Sequence, residues 1–436
     1  MFTTMDIKLA MYFAPMLMIW VLYFRHRGIR QQKVIALRDA ARRDGLTEPA
    51  SLHPVIDPLR CIGCGSCVSA CPEHTVLGLI NRKAELINPT ACVGHGACKA
   101  ACPEDAITLV FGTEKRGVDI PLVKPNFETN VPGMFIAGEL GGMGLIRNSV
   151  EQGRQAMESI AKLKGIGRGQ GLDVVIVGAG PAGFSASLAA MERKLRFVTL
   201  EQDSVGGTVA HFPRGKVVMT APMNLPMYGK VKLSETHKEA LLKLWQEVQH
   251  KSGLEINEGE RVEEIHRDGD GFTVKTNRSS YQTRAVLLAI GRRGTPRKLG
   301  VPGEELSKVV YRLIDPEQYR GRHVLVVGGG DSALEAATTI ADEPGTTVTI
   351  SYRSESFSRA KPKNRTKIED AAAQGKLTCL MKSNVKVIQS DKVIIAQEGK
   401  MIEIPNDAVI VSAGGILPTG MLKEVGINVE TKHGEA

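Results

Sequence analysis

Asp173 to Gly183 reads DVVIVGAGPAG. Val174 to Val177 is a run of β-formers that leads straight into G-x-G-x-x-G at Gly178, Gly180 and Gly183, with Pro181 and Ala182 inside the turn. A helix-like run, Phe184 to Arg193, follows, and the next apolar run, Phe197 to Leu200, ends on Glu201. Strand, glycine turn, helix, strand and acid, in that order, make up a dinucleotide-binding fingerprint in the context it requires. Gly178 permits the tight turn, Gly180 lets the backbone approach a pyrophosphate, and Gly183 lets helix and strand pack closely. The helix N-terminus offers free N–H groups to phosphate. Glu201 is placed to accept hydrogen bonds from a ribose diol.

A second copy lies downstream. His323 to Val327 is strand-like, and GGGDSA then places Gly328, Gly330 and Ala333 in G-x-G-x-x-A register, with Asp331 and Ser332 between. The next strand, Thr346 to Ile350, ends on Ser351-Tyr352-Arg353 and not on an acid. Arg353 and Arg359, with Lys361 and Lys363, suit a ribose 2′-phosphate, which a guanidinium holds bidentately. That favours NADP, while Gly330 and Ala333 permit either NADP or NAD. Two such units imply two dinucleotides, one of them a flavin.

The chain has 436 residues, enough for two or three domains. Its hydrophobic share of 42% and charged share of 24% are ordinary for a globular protein. The net charge of +9 is largely local, gathered at Arg25, Arg27, Arg30, Lys33, Arg38, Arg42 and Arg43. No comparable basic patch interleaved with aromatics exists, which argues against nucleic acid as a partner. Of the 8 cysteines, all but Cys379 fall between Cys61 and Cys102. Clustered spacings of this kind favour metal ligation and a reducing compartment over disulfides.

Cys61, Cys64, Cys67 and Cys71-Pro72 form C-x2-C-x2-C-x3-C-P, the bacterial-type iron–sulfur run. The second run, Cys92, His95, Cys98 and Cys102-Pro103, keeps the register but has His95 at the second position. The segment from Arg60 to Thr108 resembles two-cluster ferredoxins. Their crossed ligation implies one 4Fe-4S cluster on Cys61, Cys64, Cys67 and Cys102. It implies a second on Cys71, Cys92 and Cys98, with His95 as fourth ligand; the alternatives are a 3Fe-4S cluster or His95 as a bystander. An imidazole ligand would make the second cluster less negative and raise its potential.

Leu9 to Phe24 carries no charge, and the basic residues follow it. As a helix it would be about 24 Å long, extendable by Ile7 and the stem of Lys8 toward the hydrocarbon thickness. Tyr12, Trp20 and Tyr23 suit membrane interfaces. The reading is a single-pass anchor in the inner (cytoplasmic) membrane, in contact with lipid, with the N-terminus outside and the other domains cytoplasmic. An interfacial helix is the alternative.

Phe127 to Ala161 reads FETNVPGMFIAGELGGMGLIRNSVEQGRQAMESIA. The pattern T-x-x-P-G-hydrophobic-F-x-A-G-acid followed by a helix resembles the closing FAD motif of thioredoxin-reductase-like flavoproteins. In that family the motif comes last, whereas here Gly138 and Glu139 precede the first glycine turn. The resemblance implies a circularly permuted flavoprotein, rejoined through the glycine-rich stretch Gly165 to Gly171. Its new break would lie between His433–Ala436 and the region of Arg116. Further matches are Gly206-Gly207-Thr208, Ala289-Ile290-Gly291, Gly300 to Glu304, and Gly414-Gly415 with Pro418. Glu139 stands where the family has Asp and would reach a ribityl hydroxyl. Leu145 and Ile146 begin a helix whose N-terminus faces the flavin pyrimidine in the family, favouring negative charge on reduced flavin. The family's C-x-x-C is missing: Tyr311-Arg312-Leu313-Ile314-Asp315-Pro316 occupies its place.

The expected fold class is α/β, with two Rossmann-like domains preceded by a ferredoxin-like α+β domain and one transmembrane helix. The expected domains are an anchor (1–24), a basic linker helix (25–55), the cluster domain (56–111), the FAD domain (112–294, completed by 408–436) and the NAD(P) domain (295–407). The function implied is an FAD-dependent NAD(P)H oxidoreductase. It would pass electrons through iron–sulfur clusters to a cytochrome, a quinone-linked protein or a ferredoxin, or run in reverse. The family also implies a homodimer. No acid–base residue is required, because the cofactors carry the chemistry. Two other readings are a small-molecule disulfide reductase and a non-enzymatic redox sensor or assembly subunit.

Overall fold

The computed structural model describes residues 4–44, 46–49, 52–92, 94, 96–114, 117–142, 144–220, 222–233 and 235–434, without the side chains of 4–12, 14, 219 and 235. It divides into two compact units, residues 1–116 with 434–436, and residues 117–433.

In the first unit, helix α1 (Thr4–Arg43) runs unbroken through Pro15. Its second half is packed. Val34 lies where a Cβ on Gly78 would stand, Arg38 pairs with Glu85 at 3.2 Å, and Gln31 bonds Asn81 at 2.9 Å. Strand β1 (His53–Ile56) pairs antiparallel with β4 (Ile107–Val110), and β2 (Leu77–Ile80) forms a hairpin with β3 (Lys83–Leu86). Short helices α2 (Ser66–Ala70) and α3 (Ala97–Ala100) follow the two cysteine loops. The core of this unit is built from Val76, Leu77, Ala84, Ala91, Ala106 and Ile107 together with cysteines of both runs.

Among the described residues no helix is long and apolar enough to cross a membrane. This overturns the transmembrane helix expected at Leu9–Phe24, the inner-membrane placement with the N-terminus outside, and the lipid contact derived from it. The physical reason lies in the span. The uncharged run is bounded by Lys8 and Arg25, and its length of about 24 Å falls short of the roughly 30 Å hydrocarbon core. From Met16 to Phe24 the side chains are solvent-exposed, Trp20 at 63%. No break falls between residues 24 and 25, since one helix runs from Thr4 to Arg43.

The second unit opens with β5 (Val118–Pro121), β6 (Met134–Ile136), helix α4 (Ile146–Ala161), β7 (Leu172–Val177), helix α5 (Pro181–Glu192) and β8 (Phe197–Glu201). Its larger sheet runs in the order Asn257–Glu258, β8, β7, Ser280–Leu288, Gly271–Thr276, Val262–Asp268. The first four strands are parallel and the last two antiparallel. β6 adds in parallel to Ser280–Leu288, with Met134, Phe135 and Ile136 opposite Val286, Leu287 and Leu288. Near-continuous apolar strands such as Val174–Val177 are what a sheet covered on both faces requires. One face is closed by α4 and α5 through Phe135, Ala156, Met157, Ile160, Val174, Ile176 and Leu287. Helix α6 (Lys238–Ser252) buries Leu241, Trp245 and Val248, and Phe184 tilts against Trp245 with ring centroids 4.8 Å apart.

A second lobe is a five-stranded parallel sheet ordered Val309–Val310, Ala408–Val411, His323–Val327, Thr347–Ser351, Leu377–Leu380. It carries helices α7 (Asp331–Ala341) and α8 (Pro362–Ala373). The chain passes between the lobes through a two-stranded crossing, Thr295–Pro296 against Gly415–Ile416. It then returns to the start of the unit. Val429–Lys432 pairs antiparallel with β5, and Asn130 ties this return by bonding the carbonyl of Gly426 at 2.8 Å and the N–H of Asn428 at 2.9 Å.

Candidate functional site

The first glycine turn lies at the C-terminal end of the large sheet, between β7 and α5. Gly178 has φ +101°, and a Cβ there would stand 2.7 Å from the Ala289 carbonyl. Gly180 faces Gly207 so closely that a Cβ on Gly207 would lie 2.9 Å from the Gly180 Cα. Pro181 opens α5, Ala182 and Gly183 are buried, and Thr208 and Gly291 sit at the accessible rim. The groove so formed is floored by backbone alone and headed by a helix N-terminus, which suits a pyrophosphate.

Glu201 closes β8, nearly buried. Its Oε2 accepts from the Ala179 N–H at 2.8 Å and its Oε1 from the Asp203 N–H at 3.0 Å. Burial pushes its carboxyl above the usual range, with those two N–H groups opposing. The acid is therefore held rigidly beside the turn.

Gly138 joins the same site from far upstream. A Cβ built on it would lie 3.0 Å from the Ala182 Cβ, and its N–H donates to Gln152 at 2.8 Å. Helix α4 crosses α5 at Gly153, where a Cβ would meet the Ala182 carbonyl at 2.0 Å. Leu145 caps α4 and Ile146 begins it. Glu139 is open to solvent, yet the surrounding protein raises its carboxyl, with Arg292 opposing. The structure thus brings Gly138 and the N-terminal turns of α4 onto the Gly178–Gly183 turn. A cradle with no side chain on its floor, an acid at the strand end and a second segment folded over it fit a flavin dinucleotide.

The second turn repeats the design. A Cβ on Gly328 would lie 2.3 Å from the Ser412 carbonyl, Gly330 has open space beside it, and Ala333 is fully buried. Ser332 is exposed at the first turn of α7. The Asp331 carboxylate points to the loop ahead of α8, accepting from the Lys361 N–H at 2.8 Å and from Asn364 at 2.7 Å. Arg353 and Arg359 are exposed on that loop. These features fit a second dinucleotide.

The lobes also meet through polar side chains that the sequence analysis did not connect. Arg312 donates to the His211 Nδ1, and His211 Nε2 lies 3.3 Å from Asp203. Burial, reinforced by Arg293, Arg312 and Lys238 against Asp203, pushes His211 down to about 4. Lys216 pairs with Glu335, and Arg214 approaches Asp315 at 3.8 Å. A cleft of ≈ 330 Å³ between the lobes is lined by Asp203, His211, Lys238 and Arg312, among others. The partners Arg312 and His211 are 101 residues apart in the chain.

In the first unit, Cys61, Cys64, Cys67 and Cys102 line one cavity with Ile56, Pro103 and Ile107. Cys71, Cys92 and Cys98 lie within electrostatic reach of one another. The two loops share a backbone: Gly63 and Gly65 have φ +72° and +82°, Gly94 and Gly96 φ +78° and +74°. His95 lies outside the described residues. Among the described residues no three His, Cys, Asp or Glu side chains converge on a single ion. A cubane needs no such convergence, because each thiolate takes a separate iron. Burial pushes the Cys67 and Cys92 thiols up to about 11, so metal binding there must release protons. The donor set and the apolar walls fit an iron–sulfur cluster.

Comparison with known proteins agrees with this geometry. The sequence profile of pyridine nucleotide-disulphide oxidoreductases matches residues 175–435, and that of the 4Fe-4S dicluster domain matches residues 53–103. The chain is 30% identical over 268 residues to a ferredoxin–NADP reductase of Ignicoccus hospitalis, covering 60% of this chain and 83% of that one. It is 30% identical over 271 residues to a ferredoxin–NADP reductase of Thermus thermophilus, covering 59% and 77%. Among solved structures it is similar to the bacillithiol disulfide reductase Bdr of Staphylococcus aureus, with TM-score 0.53 at 25% identity over 59% of this chain and 81% of that one. The class so defined is an FAD-dependent oxidoreductase bearing an iron–sulfur domain. The chain belongs to the pyridine nucleotide-disulphide oxidoreductase family.

Proposed function

We propose that this chain carries electrons from NADPH through FAD to two iron–sulfur clusters and on to a one-electron carrier such as a ferredoxin. The observation that supports it most is the cavity walled by Cys61, Cys64, Cys67 and Cys102 in a chain that also folds two glycine cradles. Relatives that carry the name ferredoxin–NADP reductase point the same way. FAD, when bound, supplies the conversion between a two-electron donor and one-electron carriers. The chain's residues position and hold. The Gly178–Gly183 turn and the α5 N-terminus receive the flavin pyrophosphate, Glu201 the ribose, and Glu139 a ribityl hydroxyl. The Gly328–Ala333 turn receives the NADPH pyrophosphate, and Arg353 and Arg359 its 2′-phosphate. Cluster one takes Cys61, Cys64, Cys67 and Cys102. Cluster two takes Cys71, Cys92 and Cys98, with His95 at the remaining corner.

On this reading Phe127–Ala161 is the family's closing strand–helix unit, carried ahead of the glycine turn. The packing of Gly138 on Ala182, the addition of β6 to Ser280–Leu288 and the pairing of β5 with Val429–Lys432 support it.

Anaerobic stopped-flow mixing with NADPH tests the function. The flavin band should bleach first and the broader cluster absorbance afterwards. The likeness to a bacillithiol disulfide reductase supports a second reading, a reductase of small disulfides. Flavin bleaching with the cluster absorbance unmoved would favour that reading instead.

A further inference from the structure

The nucleotide turn of the second lobe ends in a carboxylate, which is an awkward neighbour for a pyrophosphate. Asp331 is the first residue of α7, at the point where the turn delivers the helix N-terminus. Its charge is turned aside. The Oδ1 accepts two hydrogen bonds, from the Lys361 N–H at 2.8 Å and from Asn364 Nδ2 at 2.7 Å. Asn364 is 8% exposed, and its Nδ2 also donates to Glu335 Oε1 at 3.1 Å, one turn further along α7. One buried amide thus joins two carboxylates of α7 to the first turn of α8. Lys361 is the N-cap of α8 and Pro362 its first residue.

What this clamp holds is a segment of unusual charge. Arg353, Arg359 and Lys361 lie on the stretch between Thr347–Ser351 and α8, Lys363 follows in the first turn of α8, and all four are exposed. None of the four side chains pairs with an acid among the described residues. The stretch is anchored at its base by Phe357 and Ala360, buried in the lobe's core, and α8 by Ile368. Its fold does not depend on the amide. Its far end is set against the nucleotide turn by Asp331 and Asn364, while its near end is fixed at Ser351, whose carbonyl accepts from the Gly328 N–H at 3.0 Å.

We propose that Asp331 and Asn364 are positioning residues for nucleotide selection. They hold the cationic segment at the reach of a ribose 2′-phosphate, so that NADPH is told from NADH by a clamp as well as by the cations themselves. This rests on the NADPH reading above. Loss of the clamp lets the segment drift, which weakens contact with a 2′-phosphate and leaves the parts shared by both nucleotides in place.

The test uses the full chain loaded with flavin, in four forms: parent, Asn364→Ala, Asp331→Ala and Asp331→Asn. The readouts are NADPH and NADH steady-state constants with an artificial acceptor, and binding of 2′,5′-ADP against 5′-AMP. Asn364→Ala should raise the KM for NADPH by about three- to tenfold, the range expected for lost hydrogen bonds, with kcat and the NADH constants unmoved, and Asp331→Ala, on the turn shared by both nucleotides, should raise the KM for NADPH more than that for NADH. Binding of 2′,5′-ADP should weaken in step, and 5′-AMP should not. Asp331→Asn keeps an oxygen that accepts the Lys361 N–H and should retain the parent's discrimination. Equal losses for both nucleotides, or an unchanged NADPH-to-NADH ratio in both alanine variants, would overturn the clamp while leaving the NADPH reading intact. A parent without preference for NADPH or 2′,5′-ADP would overturn both. Should Asn364→Ala not fold, Asp331→Ala and the rescue by Asp331→Asn decide the matter.

Discussion

Gly153 of α4 rests on the backbone of Ala182, at the start of α5, with no room for even one carbon atom between them. Two segments separated by the glycine-rich stretch 165–171 are thereby locked face to face over the first nucleotide turn. Gly153→Ala should push α4 off α5 and carry Gly138 with it. The expected cost is about 1–3 kcal/mol of stability, in the range for overpacking, together with loss of flavin on gel filtration. A variant as heat-stable as the parent, and as yellow, would contradict the close approach.

Asp173 fastens the same stretch from its other end. Its Oδ1 accepts from the Gly167 N–H at 2.7 Å, and both oxygens meet Arg196. Burial would raise this carboxyl, but Arg196, its own N–H and that of Gly167 outweigh burial and hold it below the ordinary range. A depressed carboxyl stabilises the fold above its unfolded pKa, and the contribution fades as pH falls through the lower folded value. Asp173→Ala should therefore cost about 2–3 kcal/mol at neutral pH and less at acid pH. Urea melts at pH 7 and pH 3.5 compare the two; a penalty independent of pH would count against the ion pair.

His211 works in the same sense, but over a higher range of pH. Folding lowers it from 6.5 to about 4, so its contribution is complete above 6.5 and is lost as pH falls toward 4. From pH 7 to pH 5 the loss should be about 2 kcal/mol. The groups facing it are Asp203, Lys238, Arg293 and Arg312. His211→Asn removes the titrating group and should flatten stability across this range. If parent and variant soften equally on acidification, the histidine is not the cause.

Iron content checks the crossed ligand sets. Replacing Cys64 or Cys102 by Ala should remove the same cluster, about four irons per chain, although the two residues belong to different runs. Cys379→Ser should leave iron unchanged, because Cys379 sits in the strand Leu377–Leu380 of the other unit. Distinct spectra from Cys64→Ala and Cys102→Ala would break the pairing.

What could be read from the residues was local. The glycine turns announce themselves because strand, turn and helix are contiguous, and the two cysteine loops because their cysteines recur in one register and each run ends in Cys-Pro. The apolar run at Leu9–Phe24 misled because its shortfall in length was made up with Ile7 and the stem of Lys8, whereas one helix continues to Arg43. The amphipathic pattern of α6 begins only at Lys238, because Glu235–His237 is taken up as a strand against Val217–Met219. The tertiary polar contacts left no trace. His211 with Arg312 and Lys216 with Glu335 across the lobes, and Asn364 with Asp331 within the second, are common polar residues made partners by tertiary folding alone.

The antiparallel pairing of Val118–Pro121 with Val429–Lys432 also orders events during synthesis. β5 is translated roughly three hundred residues before its mate, so this sheet stays open until Val429–Lys432 has emerged from the ribosome. The cysteine loops, complete by Cys102, emerge long before. Iron loading can thus precede closure of the flavin-binding fold, and a truncation that removes Val429–Lys432 should spare the clusters while leaving β5 without its neighbour.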